Sequence, residues 1–116
     1  MTYIIKGAGL AIEDVVKVKL VVGTIESCEE LPKSDKLYKL QVNFGAKGSR
    51  TILSGVKKLF TAADLIGKQA VFVFNLKPRP MMGFESHGML LITNNAQGDR
   101  QFVTPAAPVE NGSELQ

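Results

Sequence analysis

The sequence predicts an all-β domain: a five-stranded OB-fold Greek-key barrel with one short helix between strands three and four, plus a C-terminal extension. Five short segments have the residue patterns of strands and are separated by turns rich in glycine, asparagine or proline. A helix-capping signal lies between the third and fourth segments. The length of 116 residues and the 45% hydrophobic content suit one domain with one core. An SH3-like barrel is the alternative, but it does not need a helix at that place.

The first strand is predicted from Val16 to Ile25, because apolar and polar residues alternate there. Gly23 marks a bulge or bend in this strand. Residues 11–16 suit a single helical turn, with acids near its N-terminus where the helix dipole favours them. In the predicted register, the residues on the core face of the strand are Val16, Val18, Leu20 and Val22.

The second and third strands are predicted as a hairpin. Residues 45–49 contain two glycines and form its loop, and the third strand covers residues 50–55. Alternation in the second strand places lysine, glutamine and asparagine outside the barrel. The residues predicted to face the core are Tyr38, Leu40, Val42 and Phe44.

The helix is predicted from a capping box. Thr61 and Asp64 have the required spacing, and Gly67 ends the short apolar run that follows. The fourth strand, residues 69–76, is apolar on both faces and is therefore buried on both sides. The fifth strand covers residues 88–93.

The single domain of residues 1–116 divides into three parts. Residues 1–11 are an N-terminal segment, residues 12–103 form the barrel with its immediate extension, and residues 104–116 are an extended tail. Prolines at positions 105 and 108 restrict the residues before them to extended conformations. An extended apolar segment beyond a finished barrel suits a subunit contact.

The residues favour neither catalysis nor a metal or cofactor. His87 is the only histidine and has no cysteine partner at metal-ligand spacing. No glycine-rich phosphate loop stands between a strand and a helix, and no serine has a histidine base in a motif. Cys28 lies beside two glutamates that raise a thiol pKa, so it is expected to be an unreactive thiol. We therefore expect a protein that is not an enzyme, with no cofactor.

The expected location is cytoplasmic, without membrane contact. No apolar run approaches the ~20 residues that cross a bilayer, and the first residues lack the pattern of a secretion signal. A single cysteine cannot form an internal disulfide, which agrees with a reducing compartment.

Positive charge is concentrated in the middle of the chain. Residues 1–30 carry a net charge of −2, residues 31–84 a net charge of +8, and residues 85–116 a net charge of −3. Clustered lysine and arginine side chains are typical of a surface that binds a polyanion, because neutralising phosphates releases counterions. A lysine-rich surface that is merely solvated is the alternative.

The segment of residues 75–90 is the strongest candidate for a binding surface. It places Lys77 and Arg79 next to two prolines, between two strongly apolar strands. We interpret it as a stiff polar connection between core strands. Arg79 presents a planar fork of donors, whereas Lys77 is a compact point charge. Contacts of this kind position a nucleic acid without reading its sequence.

Several ordered motifs together resemble the tRNA-binding OB domain. This domain occurs at the C-terminus of many bacterial methionyl-tRNA synthetases, as a separate synthetase beta chain, and in stand-alone structure-specific tRNA-binding proteins. The resemblance covers nearly the whole chain, from about Ile12 to Val103. The motifs that carry it are Ser34-Asp35-Lys36-Leu37-Tyr38, Ser54-Gly55-Val56-Lys57-Lys58-Leu59-Phe60-Thr61, Leu65-Ile66-Gly67-Lys68, Asn75-Leu76-Lys77-Pro78-Arg79 and Met82-Gly83-Phe84-Glu85-Ser86-His87-Gly88-Met89-Leu90.

The resemblance implies a homodimeric, non-catalytic module that binds tRNA by shape around its elbow and assists a synthetase. A methionyl-tRNA synthetase catalytic chain is the implied associate. By position, the resemblance assigns the RNA surface first to Asn75, Lys77, Arg79, Ser86 and Met89, and second to Lys36, Lys39 and Ser54.

Alternatives stay open for some of these residues and for the function. Hydrogen bonding in a turn or bulge is the structural alternative for Asn75 and Ser86, and core packing is the alternative for Met89. The chain has Lys19, Val21 and Pro80 where relatives commonly carry other residues, so affinity does not follow from the resemblance. The alternative function is a protein-binding OB module of the export-chaperone-like type.

Overall fold

The computed structural model describes residues 9–116, so most of the predicted N-terminal segment, residues 1–11, lies outside the described residues. A 3-10 turn, Gly45–Lys47, joins the second and third strands. In chain order, the helices and strands are α1 (Ile12–Val15), β1 (Leu20–Glu30), β2 (Tyr38–Asn43), β3 (Ser49–Ser54), α2 (Ala62–Leu65), β4 (Gln69–Val73), β5 (Arg79–Met81), β6 (Phe84–Ser86) and β7 (Met89–Leu90).

Five strands form one antiparallel sheet in the order β3-β2-β1-β4-β7, and β5 and β6 form a separate two-stranded sheet. The larger sheet curls so that its edge strands β3 and β7 approach each other, and the N–H of His87, just before β7, donates to the Thr51 carbonyl on β3 at 2.9 Å. Closure of this kind removes free sheet edges. The predicted OB-type barrel, with its helix between β3 and β4, is confirmed.

Strand β1 pairs with two other strands, one along each half of its length. Its first half pairs with β4, from Leu20 opposite Val73, and its second half pairs with β2. The register shifts between Ile25 and Ser27, which is a bulge at Glu26. The bulge bends the strand, so one strand contributes to both sides of the barrel.

The predicted bounds and bulge of the first strand are wrong. Val16 and Val18 belong to the turn that follows α1, and both are exposed. Val21, predicted on the outer face, is fully buried. The alternating pattern continues into the α1 turn, where local hydrogen bonds such as Val18 N–H to the Val15 carbonyl replace strand pairing.

The core lies between the walls of the curled sheet. The predicted inward register of β2 is confirmed, since each of the four predicted residues is at most 5% exposed. Phe44 packs edge-on against Phe72 and Phe74, with ring centroids 5.3 and 5.0 Å away. The buried core residues are Val21, Ile25, Tyr38, Leu40, Val42, Phe44, Ile52, Val56, Leu65, Ala70, Phe72 and Leu90.

Helix α2 has the predicted capping box. Thr61 N–H donates to Asp64 Oδ2 at 2.8 Å, and Asp64 N–H donates to Thr61 Oγ1 at 3.3 Å. Leu65 is fully buried, and Gly67 N–H donates to the carbonyl of Ile25 at 2.7 Å. The helix is thereby attached to β1 at the bulge.

Strands β4 and β7 are shorter than predicted, and residues 79–86 between them form a hairpin outside the five-stranded sheet. These residues do connect two core strands, but their pairing as a hairpin was not predicted. The turn of the hairpin, Met82-Gly83, has positive φ at both positions, 51° and 84°. Such turns usually carry asparagine, aspartate or glycine at the first position. Because Met82 occupies that position, the sequence did not predict the turn.

The end of the chain pairs with β1. Val22 N–H donates to the Ser113 carbonyl at 2.9 Å, and Leu115 N–H donates to the Leu20 carbonyl at 2.9 Å. This pairing covers the part of the β1 edge that β2 leaves open. Within residues 9–116, no helix has the length and apolar character needed to cross a membrane.

Candidate nucleic-acid interface

The β5–β6 hairpin lies on the outer face of β3. Ser86 is buried, and its Oγ atom accepts a hydrogen bond from Leu53 N–H at 3.0 Å. Lys39 on β2 reaches over the ring of Phe84, with Nζ 4.3 Å from the ring centroid. These contacts explain why Leu53, which alternates outward on β3, is only 6% exposed.

A groove of about 330 Å³ runs between the hairpin and the barrel. Its apolar lining includes Leu53, Val56 and Leu90, and its cations are Lys77 and Arg79. We call it the cationic groove. Of the eight predicted site residues, the five that line it are Ser54, Lys77, Arg79, Ser86 and Met89.

Four of these five differ in their freedom to contact a ligand. Lys77 and Arg79 are exposed, and neither takes part in an ion pair within residues 9–116. Met89 is 48% exposed, so its core-packing alternative is wrong. Ser86 uses its hydroxyl to hold the hairpin, which agrees with its structural alternative.

Asn75 lies outside the cationic groove. Its Oδ1 accepts from Lys19 N–H at 2.9 Å, and its Nδ2 donates to the Lys17 carbonyl at 2.6 Å. The amide therefore joins the end of β4 to the segment between α1 and β1. These bonds support the alternative that Asn75 serves a structural role through hydrogen bonds to the backbone.

Lys36 and Lys39 also lie outside the cationic groove. Lys36 is exposed in the segment before β2. Lys39 combines its contact with Phe84 with a carboxylate of Glu29, whose Oε2 lies 4.0 Å from Nζ. The structure thus brings Lys39 to the hairpin but not to Lys77 and Arg79.

Acidic side chains pair with several cations of the central stretch. Lys57 Nζ lies 3.0 Å from Glu30, Lys58 Nζ lies 3.6 Å from Asp35, and Lys47 Nζ lies 3.5 Å from Glu114. The exposed pairs contribute little to stability. They do reduce the positive charge available to a polyanion, whereas the two cations of the cationic groove take part in none of these pairs.

Arg50 also has a structural partner. Its guanidinium lies 3.6 Å from the centroid of the Phe74 ring, and Nη1 donates to the Phe74 carbonyl. Burial lowers the pKa of this guanidinium. Arg50 therefore anchors the end of β4 to β3.

Cys28 is half-buried on β1. Burial first and the charge of Glu30 second raise the pKa of its thiol to about 11. A thiol with this pKa carries almost no thiolate at neutral pH, so nucleophilic chemistry at Cys28 is disfavoured.

The residues that sequence reasoning missed are the apolar ones of the hairpin and its approach. Leu76 and Met81 line the cationic groove, and Phe84, opposite Met81 in the hairpin, is partly exposed near the turn. The signal available in the sequence was the presence of these three large apolar residues in a segment that was interpreted as a polar connection.

The chain is similar to known proteins along most of its length. Residues 20–114 match the family model described as "Putative tRNA binding domain". The methionine–tRNA ligase of Porphyromonas gingivalis is 42% identical over 106 residues, which are 91% of this chain and 15% of that enzyme. The corresponding ligase of Flavobacterium johnsoniae is 43% identical over 101 residues, 87% of this chain and 14% of the enzyme. The chain thus spans about one seventh of the length of these relatives.

Solved structures are similar along nearly the full chain. A MetRS-related protein from Pyrococcus horikoshii has a TM-score of 0.86 at 30% identity, covering 93% of this chain and 98% of that one. The chaperone CsaA from Bacillus anthracis has a TM-score of 0.83 at 29% identity, covering 94% of this chain and 100% of that one. The chain belongs to the tRNA-binding domain family.

Proposed function

We propose that this domain binds tRNA without catalysis and largely independently of sequence, by the shape of its elbow, and so assists an aminoacyl-tRNA synthetase. Methionyl-tRNA synthetase is the proposed synthetase, because the curated relatives are methionine–tRNA ligases. The observation that carries the proposal is the pair of exposed cations, Lys77 and Arg79, that line a groove in a member of this family.

The chemistry of the cationic groove suits an RNA backbone. Arg79 can bind a phosphate with two parallel N–H donors, and Lys77 adds a mobile charge. Pro78 and Pro80 restrict the backbone on both sides of Arg79, which reduces the entropy lost on binding. Phosphate contacts fix the position of a ligand but carry no sequence information, so recognition by shape follows.

The proposed role is that of an accessory module in the cytoplasm, where tRNA is aminoacylated. The synthetase catalytic chain is the proposed partner, either covalently attached or associated. The domain then increases the local concentration of tRNA near a catalytic site that lies elsewhere.

A homodimer is part of the proposal. Apolar side chains are exposed around α1, including Ile12 and Val16, and near the chain end at Val109 and Leu115. Leu115 bonds to the start of β1, close in sequence to α1. Burying such surface between two copies is favourable. Light scattering should give twice the mass of the chain, and Ile12→Glu with Leu115→Glu should give the monomer mass.

The test of RNA binding compares two variants that change charge equally. Lys77→Glu/Arg79→Glu alters the cationic groove, and Lys33→Glu/Lys68→Glu alters exposed cations elsewhere. Affinities for a full-length tRNA and for an unstructured RNA of equal length are measured across a salt series. The wild type should prefer the tRNA. The groove variant should reduce the slope of log affinity against log salt by about 2.

Three results would contradict the proposal. Equal affinity for both RNAs would indicate generic polyanion binding. Equal losses in the two variants would remove the special role of the cationic groove. Absence of RNA binding in the wild type would overturn the proposal itself.

A protein-binding function of the export-chaperone-like type is the second candidate, favoured by the structural similarity to the chaperone CsaA. The exposed apolar residues Leu76, Met82 and Met89 suit an unfolded apolar segment. Suppression of the aggregation of a denatured test protein, with no affinity for tRNA, would favour this candidate.

A further inference from the structure

A second groove lies where the turn end of the hairpin meets the start of β3, with a volume of about 490 Å³. We call it the Phe84 groove. None of the eight predicted site residues lines it. The residues that line it include Ser49, Arg50, Thr51, Phe84, Glu85 and His87.

Phe84 is an exposed aromatic residue held in a fixed place. It is 39% exposed, because β6 lies outside the barrel and cannot bury it in the core. It pairs with Met81 across the hairpin, and the ammonium group of Lys39 lies 4.3 Å from its ring centroid. A cation at this distance attracts the ring and limits its motion. The ring is therefore held in place at the edge of an open groove, with the Lys39 ammonium group over one of its faces.

Among residues 9–116, the one cation that lines the Phe84 groove, Arg50, already stacks on the Phe74 ring and donates to the Phe74 carbonyl, unlike the exposed cations of the cationic groove. Glu85 contributes a carboxylate, which repels phosphate and accepts N–H donors. The Thr51 hydroxyl accepts from Gln41 Nε2 at 2.7 Å, and the Thr51 carbonyl accepts from His87 N–H at 2.9 Å. These bonds fix the residues beside the aromatic ring. A planar group with N–H donors at its edge fits this arrangement better than an anion.

The hairpin is a common wall of the two grooves. Ser86 lines the cationic groove, and Phe84, two residues earlier on β6, lines the Phe84 groove. Two residues of a strand span roughly 7 Å. A polynucleotide whose phosphates contact Lys77 and Arg79 therefore has neighbouring bases within reach of Phe84.

We propose that the Phe84 groove holds one unpaired nucleobase of the bound RNA, stacked on Phe84, with Glu85, His87 and the hydroxyls of Ser49 and Thr51 at its polar edge. This inference rests on the proposed function, because the base belongs to the same RNA. Unstacked bases of folded RNA commonly stack on aromatic side chains and bond through their edges. The groove thus recognises an extruded base, whereas the cationic groove recognises the backbone.

The experiment tests stacking between Phe84 and the base by changing first the protein and then the RNA, and it measures the affinity for tRNA in each case. Phe84→Leu keeps an apolar side chain without the aromatic face, and Phe84→Trp keeps the aromatic face. On the RNA, each unpaired position of a tRNA is replaced in turn by an abasic nucleotide. Phe84→Leu should weaken tRNA binding by roughly 5- to 150-fold, the range for loss of a stacked base. Phe84→Trp should retain affinity, and the salt slope should stay unchanged in both variants because no phosphate contact is altered.

One abasic position should weaken wild-type binding and have no further effect on Phe84→Leu, since both changes remove the same contact. Melting temperatures of the variants report folding, and the abasic series with wild-type protein does not depend on them. Tight wild-type binding with an unchanged affinity of Phe84→Leu, or with no sensitive abasic position, overturns this inference alone. A wild type that binds no tRNA overturns the inference and the proposed function together.

Discussion

The Oγ atom of Ser86 accepts a hydrogen bond of 3.0 Å from the backbone N–H of Leu53, and both residues are buried. This bond joins the β5–β6 hairpin to β3. Residues of the hairpin line both the cationic groove and the Phe84 groove, so the geometry of both depends on this bond.

Ser86→Ala should lower the free energy of unfolding by about 1–3 kcal/mol, because it leaves a buried N–H without a partner. Urea unfolding measures the loss. Ser49→Ala, on the exposed end of β3, is the matched control and should change stability by less than about 0.5 kcal/mol. Equal stability of Ser86→Ala and the wild type would show that another acceptor satisfies Leu53.

Asn75→Ala should free the segment between α1 and β1, because Asn75 bonds to the backbone of both Lys17 and Lys19. Hydrogen exchange at the Lys19 amide should accelerate. Asn75→Asp keeps an acceptor for Lys19 N–H but loses the donor to the Lys17 carbonyl, so exchange at Lys19 should remain slow. Similar exchange in all three proteins would return Asn75 to the candidates for direct RNA contact.

Gly23→Ala should destabilise the barrel by about 1–3 kcal/mol, the usual cost of overfilling a core. A Cβ atom at position 23 meets side-chain carbons of Phe44 and Val42 at 2.7 Å. Gly55→Ala is the matched control, because a Cβ atom there has no neighbour within 4 Å among residues 9–116. Thermal unfolding of both variants checks the prediction, and equal melting temperatures would contradict it.

The capping box of α2 should make part of the stability depend on pH. The backbone hydrogen bond from Thr61 is the main reason that the pKa of Asp64 is lowered. A lowered folded-state pKa means that the ionised form stabilises the fold above the unfolded-state pKa. This contribution is lost as the pH falls through the folded-state pKa.

Melting temperatures from pH 7 to acid, compared with those of Asp64→Ala, measure this contribution. The difference between wild type and variant should shrink with acidification. Thr61→Ala should cost about 1 kcal/mol at neutral pH through loss of the cap. A difference that stays constant with pH would contradict the role of Asp64.

The sequence by itself determined the barrel, the register of β2 and the helix after β3. These features depend on local patterns: alternation from Tyr38 to Phe44, and the spacing of Thr61 and Asp64. It also determined the family, since ordered motifs along the chain remain readable without coordinates. Lys77 and Arg79 were predicted as candidates because both cations lie beside prolines in a short motif.

Only the tertiary structure decided where β1 begins, that residues 79–86 form a hairpin, and which polar side chains hold the fold. Asn75 and Ser86 have partners 56 and 33 residues away in sequence, so no local pattern reveals them. Local sequence likewise does not reveal which cations are paired, because Lys47 forms its ion pair with Glu114, which is far away in sequence. Burial and pairing depend on which segments meet after the chain folds, and Phe84 is exposed because its strand β6 lies outside the five-stranded sheet.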